Sequence, residues 1–216
     1  MKINQSFAIG IPTLNRWDLL NPALLFYLTH DFKQTHIYVV DNGQQEITIP
    51  ESEHFHVIRN ENNVGVAASW NQLCNKIYEN HKFAFILNDD VYLGKRDWEI
   101  ELLLSQYSGD IYIGSFEWSS FILPKSTYLK VGQFDENFYP AYFEDNDYLY
   151  RMRLEGLHIF DKLGFISPLV YRNSQTAEKM PEVLTHFETN KNYYISKWGG
   201  EPNKELFTQP FNNKSL

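Results

Sequence analysis

The stretch Phe83-Ala84-Phe85-Ile86-Leu87-Asn88-Asp89-Asp90-Val91 constrains this chain more than any other. An unbroken apolar and aromatic run is the mark of a strand buried on both faces, and this one ends abruptly in an amide and two carboxylates. In open α/β sheets, ligands bind at the carboxyl ends of the strands. Hard oxygens gathered there suit Mg²⁺ or Mn²⁺ carrying a phosphorylated substrate. A polar turn capped by aspartate would read the same way in isolation, so the flanking chain has to decide.

Both flanks alternate strand and helix signals. Phe7–Ile11 is a short apolar run, broken by Pro12-Thr13-Leu14-Asn15-Arg16. Asn21-Pro22 then reads as the N-cap and first turn of a helix, with Leu24, Leu25 and Leu28 on one face. A second strand, His36–Val40, finishes on Asp41-Asn42-Gly43; no strand partner follows two residues on, which weakens a hairpin. A third, Phe55–Ile58, leads through Asn63 and Gly65 to a helix. On it Val66, Trp70, Leu73, Cys74, Ile77 and Tyr78 recur at helical spacing, a core face. Such alternation predicts parallel pairing through right-handed crossovers. Further on, the pattern predicts a helix over Trp98–Leu104, strands over Ile111–Gly114 and Phe121–Lys125, and a short capped helix over Ser126–Val131. Leu157–Phe160 and Phe165–Ser167 read as edge strands. A last helix, Pro181–Lys197, is packed down by Tyr193, Tyr194 and Trp198 and ended by Gly199-Gly200.

Composition excludes several classes. With 216 residues, 43% of them hydrophobic, the chain fits one domain, 1–216, with a polar tail over 201–216. A net charge of -8 without a basic run argues against a nucleic-acid polymer as partner. Cys74 is the only cysteine, so neither a disulfide framework nor a thiolate zinc site is available. No signal-like apolar segment and no run approaching a membrane span is seen, and a cytoplasmic protein is expected. No Gly-x-Gly-x-x-Gly and no P-loop follows any strand, which leaves a metal as the natural holder of nucleotide phosphates. His54 and His56 face one side of a strand without a third ligand and read as ordinary surface residues. Phe116, Trp118 and Phe121 read as core or a surface cluster ahead of a sugar-stacking site.

Five motifs in order carry a resemblance: Ile11-Pro12-Thr13-Leu14-Asn15-Arg16; Val40-Asp41-Asn42-Gly43; Asn63-Val64-Gly65-Val66-Ala67 with Asn71; Leu87-Asn88-Asp89-Asp90-Val91; and Gly132-Gln133-Phe134-Asp135 with Glu144-Asp145-Asn146-Asp147 and Arg151. Over roughly residues 5–175 the chain resembles the family 2 glycosyltransferases of the GT-A fold. That resemblance implies an α/β fold, a mostly parallel sheet with helices on both faces and a smaller acceptor-side β region. It implies a nucleotide-sugar-binding half over about 1–95 and an acceptor and catalytic half over about 96–200.

It also implies roles. Pro12, Thr13, Arg16 and Asp41 would contact the donor nucleotide, with Asn63 and Gly65 bordering it; a capping Asn and a turn Gly explain the last pair equally well. Asn88-Asp89-Asp90 stands where the family carries Asp-x-Asp. Asp90 would be the ligand of Mn²⁺ or Mg²⁺, Asn88 would reach the ribose or bind the ion through water, and Asp89 would contribute. Many members place a metal-binding histidine downstream, but this chain reads Tyr171-Arg172-Asn173 there, and Arg172 would offset diphosphate charge directly. By resemblance Asp145 is the catalytic base of an inverting transfer, and Glu144 positions the base or the acceptor. The aromatic run Phe138–Phe143 would raise a carboxylate pKa toward a working value. The donor would be a nucleotide-diphosphate sugar, UDP- or dTDP-linked, and the acceptor a hydroxyl on a glycan. A nucleotidyltransferase, or a noncatalytic sugar-binding module, are the rival readings.

Overall fold

The computed structural model describes residues 6–29, 32, 34–93, 96–106, 108–114, 117–160, 168–171 and 182–213; Phe116, Arg172 and the expected strand Phe165–Ser167 lie outside the described residues. A seven-stranded sheet runs in the order β3-β2-β1-β4-β7-β6-β8. β1 (Phe7–Thr13) lies parallel to β2 (Ile37–Asp41) and β4 (Phe83–Leu87), and β2 lies parallel to β3 (Phe55–Arg59). β7 (Glu117–Pro124) is antiparallel to both β4 and β6 (Ile111–Gly114), and the two-residue β8 (Ile159–Phe160) closes the edge parallel to β6. The expected hairpin-free exit of β2 is observed, and β4 sits inside the sheet between β1 and β7. That position explains its unbroken apolar sequence.

Period-two alternation splits the strand side chains between two cores. On one face Phe7, Ile9, Val39, Phe85 and Ile122 meet helices α1 (Trp17–Thr29) and α3 (Asp97–Gln106). On the other Ala8, Val40, Ala84, Ile86 and Phe121 meet α2 (Gly65–Ile77), α4 (Lys125–Val131) and α5 (Glu144–Leu154). Trp70 and Cys74 are core residues there, and Trp118 and Phe121 pack on Trp70 and Phe134 rather than facing solvent as a sugar platform. A third cluster joins Phe138 and Phe143 to Tyr194 and Trp198 of the last long helix, α7 (Phe187–Trp198), which follows the short α6 (Glu182–Thr185). An antiparallel ribbon of β5 (Val91–Leu93) and β9 (Pro168–Tyr171) leaves the sheet just beyond Asp90. Among the described residues, no helix is long and apolar enough to cross a membrane.

Several local expectations are corrected. α1 starts at Trp17, because the Leu19 and Leu20 N–H groups both bond Arg16 O and Asp18 supplies the acidic first turn. Asn21 is therefore no cap: its amide instead bonds the Glu46 carbonyl and the Thr48 N–H, and Pro22 lies inside the helix. The buried stripe is Leu20, Ala23, Leu24 and Tyr27, while Leu25 is 58% exposed. β1 continues through Pro12 because its ladder to β4 has already stopped at Gly10, so the missing N–H interrupts no pairing on that side. α4 follows Pro124 and has no side-chain cap; Thr127 Oγ1 donates to Asp110 O instead. The expected single helix to Lys197 is two, divided at His186. His54 and His56, read as ordinary surface residues, are half-buried and belong to a ring cluster: they lie 5.0 and 6.2 Å from His36, which is 5.3 Å from His81, at the end of the strands opposite Thr13 and Asp41. Among the described residues no group of three or more His, Cys, Asp or Glu is placed to hold a metal.

Candidate active site

Strand register assembles the site. Thr13 stands opposite Asp41, and Asp41 opposite Arg59, so the first three strands end in adjacent polar side chains. A buried chain of hydrogen bonds follows. Thr13 Oγ1 donates to Asp89 Oδ2 at 2.7 Å, and Gln45 Nε2 reaches Thr13 Oγ1 at 3.0 Å and Asp41 Oδ1 at 3.3 Å. Asp41 Oδ2 accepts from Arg59 at 2.7 Å, and Oδ1 also accepts the Gly43 N–H. Asp41 is fully buried and its oxygens are engaged, which makes it the brace of the rim; it is not among the residues lining the cavity.

That cavity, of about 260 Å³, is lined by Pro12, Thr13, Leu14 and Arg16 from the exit of β1, by Asn42, and by Asn63, Gly65, Val66 and Ser69 around the start of α2. Asn88 and Asp89 line it from the exit of β4, and Pro140, Ala141, Tyr142 and Glu144 from the opposite wall. The structure thus brings together Pro12, Thr13, Arg16, Asn63, Gly65, Asn88, Asp89 and Glu144 of the residues singled out in the sequence. Asp90 is 1% exposed and Asp145 half-buried, and neither lines the cavity. Beyond Leu87 the chain turns, Val91 N–H bonding Asn88 O, and it is Asn88 and Asp89 that this turn leaves at the cavity wall.

Asn63 and Gly65 form the cap and turn that the sequence allowed, and they do so at the cavity wall. Asn63 Oδ1 caps the Gly65 N–H at 2.9 Å, and both residues line the cavity. Gly65 has φ +84°, and a Cβ there would meet Pro140 O at 2.9 Å and Tyr139 Cδ2 at 3.0 Å. The Val66 N–H donates to Pro140 O at 2.8 Å, so the first turn of α2 is occupied by the facing loop rather than open to an anion.

The facing loop is held under strain. Tyr142 and Phe143 are consecutive non-glycine residues with φ of 78° and 74°, each costing about 1–3 kcal/mol unless the surroundings fix it. Asn190, 2% exposed on α7, fixes it by directing Nδ2 at the carbonyls of Tyr139, Ala141 and Tyr142, 3.2, 2.7 and 3.4 Å away. α5 itself is anchored through Asp147, which takes Arg151 at 2.9 Å, Lys197 at 2.6 Å and the Trp198 indole N–H at 2.8 Å.

Electrostatics mark two carboxylates. Burial lifts Asp89 to about 7, opposed by the Thr13 hydrogen bond and helped by neighbouring Asp90. Burial, with the charge of Asp145, lifts Glu144 to about 8. Glu144 is 6% exposed, and its Oε2 has no hydrogen-bond partner among the described residues. Arg16, raised by its hydrogen bonds to Asp18 at 2.9 and 3.1 Å, places a guanidinium near Asp89 and Asp90. A divalent cation fits the Asn88-Asp89-Asp90 turn. Two adjacent carboxylates lie there, one of them desolvated at the cavity wall. Mg²⁺-type sites commonly use one or two carboxylates and draw their remaining ligands from substrate phosphates, so a three-residue cluster is not required.

Sequence reasoning missed Gln45, Asn42 and Ser69. Ser69 had a signal, since it follows Gly65 by one helical turn and shares its face. Gln45 had none, being a loop amide whose partners come from two strands.

The family model described as glycosyl transferase family 2 matches residues 8–153. Among solved structures the chain resembles the mannosyltransferase PcManGT from Pyrobaculum calidifontis, solved with GDP-Man and Mn²⁺, with a TM-score of 0.61 at 10% identity. The likeness covers 92% of this chain and 66% of that one, and at that identity it speaks for a shared GT-A fold. Curated protein sequences give no match. The match spans well over half of the chain and contains the exits of β1, β2 and β4 and the start of α5: this protein belongs to glycosyltransferase family 2.

Proposed function

We propose that this protein transfers a sugar, with inversion, from a nucleotide-diphosphate donor bound in the Pro12–Glu144 cavity to an acceptor hydroxyl. The observation that carries the reading is the convergence in one cavity of the β4 exit, with Asn88 and Asp89, and the first turn of α5, with Glu144. Those segments lie more than fifty residues apart in sequence, and a transfer needs both chemistries at opposite ends of one breaking bond.

The chain's own residues divide the work. Pro12, Thr13, Arg16, Asn63 and Gly65 would bound the donor, with Arg16 facing the diphosphate and Asp41 bracing the wall through Arg59 and Gln45. Asp89 and Asp90 would hold Mn²⁺ or Mg²⁺, and Asn88 would complete the polar edge. When bound, such an ion supplies charge stabilisation to the departing diphosphate. The acceptor oxygen bonds to the anomeric carbon as the bond from that carbon to the diphosphate oxygen breaks. The hydroxyl proton passes to a carboxylate of the Glu144-Asp145 pair, and the nucleoside diphosphate leaves with the bonding electrons.

Family resemblance gives the proton to Asp145, with Glu144 orienting the hydroxyl. A second reading gives it to Glu144, which alone of the two lines the cavity and whose Oε2 has no partner among the described residues. UDP- or dTDP-sugars are the donors proposed from resemblance, and the GDP-Man of the structural neighbour makes guanosine the direct competitor. Thermal unfolding measured with UDP-, dTDP- and GDP-sugars, each with and without Mn²⁺, tests the reading. A true donor at 100 times its dissociation constant adds about 2.7 kcal/mol, more with the ion than without. No stabilisation by any nucleotide sugar would refute it.

A further inference from the structure

Helix α7 begins well beyond residue 153, where the family match ends, so no matched motif gives its residues a role. Asn190, 2% exposed, shares a buried face of that helix with Tyr194 and Trp198, which pack on Phe138 and Phe143. A leucine would suit such a face, and an amide there is costly unless its hydrogen bonds are made. Asn190 makes them to backbone, with Nδ2 3.2, 2.7 and 3.4 Å from the carbonyl oxygens of Tyr139, Ala141 and Tyr142. Those carbonyls belong to the turn that takes Tyr142 and Phe143 into the left-handed region. Phe143 is the N-cap of α5, so this turn sets where Glu144 and Asp145 stand relative to the cavity. The same segment puts Pro140 O on the Val66 N–H and supplies Ala141 and Tyr142 to the cavity wall, which Asn190 itself does not line.

We propose that Asn190 is a positioning residue for the transfer. Its amide fixes the peptide directions of segment 139–142, and through them the carboxylates at the start of α5, so that it acts on the rate of transfer rather than on donor affinity. Packing of Phe138 and Phe143 against α7 holds the segment close but is non-directional. Hydrogen bonds to three successive parts of the turn set its orientation. The residues proposed to bound the donor come from the exits of β1 and β4 and the start of α2, a different part of the cavity wall. A small misplacement of a reacting group costs rate steeply. The proposal rests on reading the cavity as the donor site of a transferase.

Two near-isosteric variants of the full chain test it, with Mg²⁺ and UDP-glucose, dTDP-glucose or GDP-mannose. Calorimetry reads donor affinity, and nucleoside diphosphate released with water as acceptor reads turnover. Asn190→Leu keeps the packing and removes the amide. It should lower turnover at saturating donor by at least about fivefold, while the donor dissociation constant moves by less than about threefold. Asn190→Asp sets a carboxyl against the carbonyls, where burial raises its pKa and only the neutral form can donate. Its turnover relative to wild type should therefore fall as pH rises from about 5 to about 9. The Asn190→Leu ratio should stay flat, a contrast that lost packing would not produce. Hydrogen exchange locates the change: the Val66 amide, bonded to Pro140 O, should exchange faster in Asn190→Leu, and the Phe85 amide within β4 should not. A loss of turnover below about fivefold in Asn190→Leu, donor affinity falling in step with turnover, the same pH dependence in both variants, or exchange raised equally at Val66 and Phe85 would overturn the proposal. A wild type that binds none of the three donors, or releases no nucleoside diphosphate from one that it binds, would count against the transfer reading itself, and the proposal would fall with it.

Discussion

Glu144 shows how one side chain acquires its chemistry from position. Its neighbours Asp145 and Asn146 are nearly as polar in sequence, yet only Glu144 is placed in the cavity wall, desolvated and raised to about 8. The acidic start of α5 was legible in the sequence, as was an aromatic surround able to raise a carboxylate. Which carboxylate it would raise was not, because the left-handed backbone at Tyr142 and Phe143 sets the direction from which α5 enters, and nothing in those residue types announces it. The same holds for the turn after β4, where three adjacent polar residues offered no means of ranking Asp89 over Asp90 at the cavity. The raised value has a signed consequence. Glu144 is protonated more readily in the folded state than in the unfolded one, so its contribution to stability is full below about 4.5 and is lost as pH rises through about 8. Glu144→Gln should therefore gain on the wild type between pH 5 and 8, by on the order of 3 kcal/mol, in unfolding monitored across that range. Parallel pH dependence in the two proteins would contradict the burial of a titrating carboxyl there. In rate measurements, Asp145→Asn should be inactive if Asp145 is the base. A rate that still climbs toward pH 8 in Asp145→Asn, and no longer does so in Glu144→Gln, would give the role to Glu144.

Among the elements, helix α7 has the widest reach. Lys197, 6% exposed, bridges Asp135 and Asp147 at 2.6 Å each, and Trp198 adds a hydrogen bond to the same aspartate. Asp135 follows the Gly132-Gln133-Phe134 turn, which Asn71 of α2 clasps through both the N–H and the carbonyl of Phe134. Helices α2, α5 and α7 are thus tied around one polar knot behind the cavity. Removing the cation would take away the charge that Asp135 and the fully buried Asp147 share, leaving Asp147 with Arg151 alone as its cation among the described residues. Lys197→Met should cost about 3–5 kcal/mol, read as a lower urea midpoint, and a loss below about 1 kcal/mol would show the bridge to be dispensable. Periodicity revealed the helices and strands themselves: the core faces of α2 and β4 were plain from Val66–Tyr78 and Phe83–Leu87. It did not reveal the knot, whose partners lie 51 and 62 residues apart. Local punctuation misled at Asn21-Pro22, where tertiary packing of Leu20 and Ala23 and the Arg16 carbonyl carried the helix four residues upstream of the apparent cap.

At the scale of the whole molecule, the mixed sheet places four parallel strand ends along one rim and brings α5 over it from the antiparallel side. Strand–helix alternation predicted the parallel half. The reversal at β7 was not visible in its sequence, since a strand buried on both faces reads alike in either direction. The result is a cavity with Asn88 and Asp89 on one wall and Glu144 on the other, the arrangement the proposed transfer requires. Proton and phosphorus NMR of the chain with Mg²⁺ and the nucleotide sugar that stabilises it most tests this arrangement directly. The account predicts slow release of nucleoside diphosphate, even with water as acceptor, together with a sugar whose first-formed anomer is inverted relative to the donor. Intact donor after prolonged incubation, or release of the retained anomer, would contradict it.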